Sequence, residues 1–448
     1  MLVAWLLGLL FSESDPGETT LRRHHTAGKM STQEEKGGWF DALTTPLNAC
    51  SLETYFPITR DDGINSSSDK PSDVPLVVGC YQLNESSQSD PEDPDTASSS
   101  AGSSRCGELR LHMIPTPSTS KTEMQFGDAA CVLQMESGVL DGKWKRRRKN
   151  NQTAVEIPLF ASACASGSIH IHGLEKNMST DSTTDTTSWS LNHLASTEDG
   201  RSDTGLCLAL AWNDYLNESE DQIVSSYSNG EVAIHQVSYH GDTNKAPKLE
   251  ETHRWNAHTL FGCPSEVWTC SFLRGAENVV LSGADDCSMK VWDIRQTQRP
   301  VHKVGDREFE AGVTAISSHP SLDNIFAVGS YDEHVRLYDY RKMAEPLSKV
   351  SVGGGVWRIK WHPSTWSGES SCRGKLLVAA MHGGCRIVNF PSLDGGVEEY
   401  TAEEADVLSE FTAHESMAYG ADWISFGSPE LEAAASCSFY DRKAFIWE

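Results

Sequence analysis

The chain has 448 residues, enough for two or three ordinary domains or for one closed ring of similar sheets. Its 37 Lys and Arg stand against 63 Asp and Glu, and the formal net charge of −26 repels nucleic-acid backbones and anionic membranes and favours a basic or cationic partner. The 12 Cys form no C-x-x-C pair and no zinc spacing, so no metal, no other cofactor and no disulfide framework is expected.

In chain order, the stretch from Met1 to Phe11 is apolar, but it lacks a basic flank and an A-x-A cleavage site and is too short to cross a bilayer. Residues 1–40 are expected to be an extension without fixed structure. The first strand–turn–strand unit is degraded: residues 75–83 pair with 108–114 across an insert near 84–105, whose Ser, Asp and Pro cannot bury a core. The basic run from Lys143 to Lys149 reads as a solvated hairpin insertion, with a nuclear-import or docking patch as the other reading. Next come FASACASGSIHIHGL at 160–174, a second irregular insert near 176–203, and IVSSYSNGEVAIHQV at 223–237, where Asn229-Gly230 signals a hairpin.

The unit then repeats as VVLSGADDCSMKVWDIR, IFAVGSYDEHVRLYDYR and LLVAAMHGGCRIVNF at 279–295, 325–341 and 376–390, and as AAASCSFYDRKAFIW ending at Trp447. Trp292 and Tyr338 are 46 residues apart, close to the ~40–45 residue period of a four-stranded blade. A further strand precedes these units at 267–272, 313–320, 356–363 and 418–424, in the position that lines a central channel. The pattern predicts an all-β fold, a seven-bladed WD40-type β-propeller over residues 41–448. Because the chain ends on a third strand, residues 45–50 are expected to supply the last blade's outer strand and close the ring. Cys207, Cys270 and Cys437 sit in apolar strand patterns and read as small buried thiols of a reducing, cytoplasmic compartment.

Two blades carry a polar bracket in sequence. His258, Ser282, Asp285 or Asp286, and Trp292 follow the order of a buried His–Ser–Asp–Trp chain, as do His414, Ser436, Asp441 and Trp447. Buried polar groups that satisfy one another rigidify a blade without any chemistry. The sixth blade has Gly353-Gly354-Gly355 where the His would be, and His382-Gly383-Gly384 at its turn, which leaves His382 without a bracket role. Aligning the inner strands on Phe272, Trp361 and Trp423 puts Trp268, Trp357 and Tyr419 at one equivalent position. The other blades carry Ser51, Leu140, Leu208 and Thr314 there. The three aromatics would gather at one channel mouth, either as inter-blade packing or as a cage for quaternary ammonium with Glu266 and Glu415 nearby.

No nucleophile elbow, P-loop, H-E-x-x-H motif or dinucleotide-binding G-x-G-x-x-G is present. Trp292-Asp293-Ile294-Arg295 matches the W-D-x-R box of propellers that dock onto cullin-type ubiquitin ligases, although many propellers carry it by descent. A non-catalytic scaffold or substrate receptor, meeting a ligase adaptor through Trp292, Asp293 and Arg295, is therefore the alternative reading. The stretches GGGVWRIKWHP (353–363), GSYDEHVRLYDYR (329–341) and AHESMAYGADW (413–423) resemble the WD40-repeat diphthine methylesterase family, over roughly residues 45–448.

That resemblance implies a carboxylic ester hydrolase acting on diphthine methyl ester, on the modified histidine of elongation factor 2. The freed carboxylate is then amidated to diphthamide by a separate enzyme. The implied substrate bears a trimethylammonium group, the ligand class that suits an aromatic cage. Ester hydrolysis needs a base near neutral pKa and donors for the oxyanion. The candidates are His414 as base, Ser416 as nucleophile or donor, Arg358 as oxyanion partner and Glu266 as orienting group or base. Trp268, Trp357, Tyr419 and His382 are the binding candidates, with His382 the reserve base. The stretch 258–266 departs from the family pattern by an extra Thr-Leu-Phe-Gly-Cys-Pro.

Overall fold

In the computed structural model, apolar runs such as VVLSGA (Val279–Ala284) and IFAVGS (Ile325–Ser330) form strands buried along their whole length, because sheets cover both faces. The model describes residues 38–55, 73–83, 105–146, 157–178, 187–197, 205–215, 221–239, 247–367, 372–393 and 404–448. These residues form seven four-stranded antiparallel sheets and one two-stranded hairpin. The inner strands of the sheets, Asn48–Thr54, Val139–Trp144, Cys207–Trp212, Val267–Phe272, Val313–Ser318, Arg358–Trp361 and Ala418–Ser425, touch one another in cyclic order, the last meeting the first. The fold is thus the predicted seven-bladed propeller. Outer strands such as Lys248–Asn256 are mostly exposed, with only Leu249 and Trp255 buried.

Gly283 and Gly329 fix how neighbouring blades meet. A Cβ on Gly329 would stand 2.2 Å from Cγ1 of Val356, and one on Gly283 2.5 Å from Cγ1 of Val313. A valine at or just before the start of the next inner strand therefore seats against bare backbone.

Ring closure differs from expectation. The outer strand of blade seven is Trp39–Thr44, paired with Lys443–Trp447 in the register Leu43↔Ala444 and Thr44↔Lys443. Residues 45–50 do not supply it: Thr45 donates through Oγ1 to the Leu47 carbonyl at 2.6 Å, and the turn around Pro46 leads directly into the inner strand of blade one. The propeller accordingly begins two residues before the expected boundary at 41. The expected insert near 176–203 also contains structure, since Thr187–Ser196 is the outer strand of blade two, paired along Ile169–Met178. The degraded first blade pairs as predicted, with Pro75↔Met113 and Cys80↔Glu108. The insert at 84–104 and the apolar N-terminal stretch lie outside the described residues. No helix among the described residues is long and apolar enough to cross a membrane. All 12 Cys are free thiols, and Cys207, Cys270 and Cys437 are buried.

Candidate active site at the channel mouth

Six of the seven inner strands slip register once near their start, between Ala49 and Ser51, Val139 and Asp141, Cys207 and Ala209, Val267 and Thr269, Val313 and Ala315, and Ala418 and Gly420. A bulge adds one residue to one strand and re-aims its side chain. The bulged residues are Cys50, Leu140, Leu208, Trp268, Thr314 and Tyr419, and Trp357 precedes the strand of blade six. This is the equivalent position identified by alignment, with Cys50 rather than Ser51 in blade one. The one-residue error arises because the bulge breaks the count of two on which strand alignment rests.

One residue per blade thus rings the mouth, and the three large ones, from blades four, six and seven, meet. The Trp268 and Trp357 rings lie 5.5 Å apart between centroids although blade five separates them, and Trp357 and Tyr419 lie 4.9 Å apart. Thr314, the small residue of blade five, donates to the Val356 carbonyl and leaves room for the two indoles to touch. Tyr331, from the blade-five turn, adds a fourth ring 6.0 Å from Trp357. All four rings are partly exposed, so they form a wall that reaches solvent at the mouth rather than a sealed core.

The turn of blade four separates its two aspartates. Asp286 accepts from His258 at 3.0 Å, His258 contacts Ser282 at 2.7 Å, and Ser282 accepts from the Trp292 indole at 2.8 Å. Burial would raise the Asp286 carboxyl, but the His258 contact holds it at about 2. Asp286 is therefore the bracket carboxylate, and Asp285 is released toward the wall. A Cβ on Gly312 would meet Asp285 Oδ1 at 3.0 Å and Tyr331 Cδ2 at 3.4 Å, which places carboxylate and ring side by side. Partial burial raises the Asp285 carboxyl above its usual range, against the pull of the Trp268 indole. Sequence reasoning left this residue undecided; the doubled Asp at the turn was its only signal.

The other candidates are dispersed. His414 contacts Ser436 at 2.8 Å, and Ser436 also accepts from the Trp447 indole at 3.0 Å. Burial pushes His414 down to about 4, against the pull of Asp441 at 3.9 Å. That makes it a neutral bracket histidine far from the near-neutral pKa asked of a base. Arg358 pairs with Asp141 at 3.1 Å, and its guanidinium carbon lies 5.7 Å from the centre of the Trp357 ring. His382 is exposed at the blade-six turn, 3.8 Å from Glu333. Among the described residues no hydrogen bond or ion pair joins any two of His414, Ser416, Arg358 and Glu266. Trp292 is buried in its bracket, whereas Arg295 is exposed and paired with Asp293 at 2.6 Å.

The family model for the WD domain, G-beta repeat, matches residues 252–293 and 300–339. The diphthine methyltransferase homolog of Dictyostelium discoideum is 32% identical over 327 residues, which cover 70% of this chain and 77% of that protein. The chain belongs to the diphthine methyltransferase family. The diphthine methyltransferase of Mus musculus is 32% identical over 357 residues, 78% of this chain and 64% of its own length. These names support a role in diphthamide biosynthesis. A chain in the crystal structure of the mitotic checkpoint complex superposes with a TM-score of 0.54 over 97% of this chain and 99% of its own, at 12% identity, and shows the shared fold alone.

Below the aromatic wall, the channel of this diphthine methyltransferase family member holds a half-open cavity of about 160 Å³ with an ionic lining. Lys143 pairs with Asp141 at 2.7 Å and Glu53 at 3.0 Å, and Lys360 pairs with Glu53 and, at 3.5 Å, with Asp422. Burial alone would raise Asp141, but Arg358 and Lys143 outweigh it and hold the carboxyl below its usual range. The basic run is thus no solvated hairpin where it is described. Lys143 is a channel residue, Lys145 pairs with Asp221, and Arg146 lies 3.6 Å from Asp422. Glu53, Asp221 and Asp422 come from other blades and cannot be seen by reading the run locally. Residues 147–149 lie outside the described residues.

Proposed function

We propose that this protein hydrolyses the methyl ester of diphthine methyl ester on the modified histidine of elongation factor 2, leaving diphthine for amidation. The observation that carries the reading is the wall of Trp268, Trp357, Tyr419 and Tyr331 with the Asp285 carboxylate beside it. The faces of such rings attract a quaternary ammonium through their quadrupoles, and a neighbouring anion adds to the attraction.

With the trimethylammonium held there, Asp285 is the group suited to take a proton from water. The water oxygen forms a bond to the ester carbonyl carbon, and the carbonyl pair moves onto oxygen. The tetrahedral anion then collapses, expels the methoxy group as methanol with the proton returned from Asp285, and leaves the carboxylic acid, which gives up its remaining proton to solvent as the carboxylate. A base raised above the ordinary carboxylate range is nearer to working pH, which is what proton transfer requires. Arg358, whose guanidinium lies over the Trp357 ring, is the candidate for the oxyanion.

The relatives' names speak of methyl transfer rather than removal. Nucleotide-derived donors commonly bind at a Gly-rich turn following a parallel strand. The described residues form antiparallel sheets only, which favours hydrolysis.

The test is release of methanol from methylated elongation factor 2 by the purified protein, beside Asp285→Asn. Hydrolysis by the parent, reduced on the order of 10²–10⁴-fold in the variant, is expected for loss of a general base. A folded parent that releases no methanol, or that adds methyl groups to diphthine, overturns the reading.

A further inference from the structure

The extra residues between His258 and Glu266 form a structured hairpin. Thr259–Leu260 pairs with Cys263–Pro264, and Leu260 lies opposite Cys263. Phe261 and Gly262 at its tip have φ of 52° and 83°, the left-handed pair of a tight two-residue turn. Asn or Gly fits the first of these positions, and a bulky aromatic there is strained. Phe261 is nevertheless 98% exposed, and Leu260 beside it is 42% exposed. Among the described residues no packing offsets that placement.

The base of the hairpin is rigid. The Ser265 amide donates to the His258 carbonyl at 3.2 Å, and His258 is locked by Asp286 and Ser282. Gly230 of the blade-three turn is packed so closely beneath that a Cβ would stand 2.5 Å from the His258 carbonyl oxygen. Two strand residues and half a turn raise Phe261 roughly 10 Å, at ~3.3 Å per extended residue.

Position gives this feature its meaning. The hairpin runs through Ser265 and Glu266 directly into Val267 and Trp268, at the end of the blades that holds the aromatic wall. At the wall's other end, Tyr419 contacts Phe439 at 5.4 Å, and Phe439 contacts Tyr440 at 5.0 Å, which is 46% exposed. Exposed apolar groups therefore flank the mouth on both sides, and Glu310 and Glu415 are exposed, and Glu333 half-buried, on turns of the same end.

We infer that the Leu260–Phe261 hairpin is a docking prong for the protein that carries the cationic side chain. It would enter an apolar depression on a basic surface of that protein while the modified residue reaches the wall. The inference rests on the function proposed above and adds that a folded protein, not merely its modified residue, is recognised.

The experiment measures binding of methylated elongation factor 2 and, separately, of tetramethylammonium by quenching of tryptophan fluorescence, for the parent, Phe261→Asn and Trp357→Ala. Asn tolerates the left-handed backbone, so the hairpin is kept. Phe261→Asn is expected to weaken binding of the factor at least about tenfold, with tetramethylammonium affinity and Tm not reduced. A drop in Tm would mark Phe261 as structural and overturn the prong. Unchanged factor binding in Phe261→Asn, with loss in Trp357→Ala, overturns the prong and keeps the wall. A parent that binds neither probe overturns both readings, and one that binds tetramethylammonium but not the factor overturns the prong.

Discussion

At the residue scale, one position in each blade decides what the channel mouth presents. Leu140, Leu208, Thr314 and Cys50 hold it in four blades, and Trp268, Trp357 and Tyr419 in the other three, so the mouth is aromatic along one arc only. Trp357 is central to the wall, touching Trp268, Tyr331 and Tyr419. Replacing it with alanine should weaken binding of the trimethylated substrate by ~1–2 kcal/mol, the scale of a desolvated cation–π contact. Equilibrium binding with an unchanged circular-dichroism spectrum checks this, and undiminished affinity would reduce the wall to packing between blades. The aromatic arc was legible because residue type survives alignment. The choice between Asp285 and Asp286 was not, because it depends on which carboxylate His258 reaches across a turn. Tyr331 went unseen because it belongs to a turn and not to the inner strand that was aligned.

At the scale of elements, the strand–turn–strand units could be read from their apolar runs and turns, and their edges could not. Trp39–Thr44 and Thr187–Ser196 are outer strands, half solvated and weakly patterned; the first straddles the expected boundary at 41 and the second falls within the expected insert near 176–203. What defines them is the partner strand, Lys443–Trp447 or Ile169–Met178, which local periodicity cannot name. The closure strand makes a checkable claim. Leu43 is opposite Ala444 near the middle of its ladder, and proline there fixes φ and removes a ladder donor. Leu43→Pro should cost about 1–3 kcal/mol, the scale of an unmet buried backbone bond. It should also expose the edge of Lys443–Trp447, so that a lower Tm is accompanied by concentration-dependent association on size exclusion. A monomer with parental Tm would mean that the ring closes without this strand.

At the scale of the whole molecule, the brackets form a series that runs around the ring. Ser282 is bonded by Trp292, ten residues on, while Ser162 and Ser225 are met at the same spacing by His172 at 3.2 Å and His235 at 2.8 Å. Blades two and three thus place histidine where blade four has tryptophan, a substitution visible in the spacing Ser-x₉-His once the bracket is understood. Burial in this position pushes His172 down to about 3 and His235 to about 4, and burial likewise pushes His319 and His414 to about 4. In the unfolded chain each titrates near 6.5. Between roughly pH 6.5 and 4 the unfolded state therefore binds protons that the folded state refuses, and stability falls as pH falls through that window. Asp286, held at about 2, and Asp141 extend the loss to still lower pH, where they must be protonated. Asp214, raised to about 7 chiefly by burial, acts in the opposite sense, losing its contribution as pH rises through neutrality. Four histidines outweigh it, so Tm is expected to fall steadily from pH 6.5 to 4.5. Calorimetry across this range should show less dependence on pH in His235→Gln, which removes one of the protons taken up on unfolding. A Tm independent of pH over this window would mean that these histidines are not held neutral by the blades.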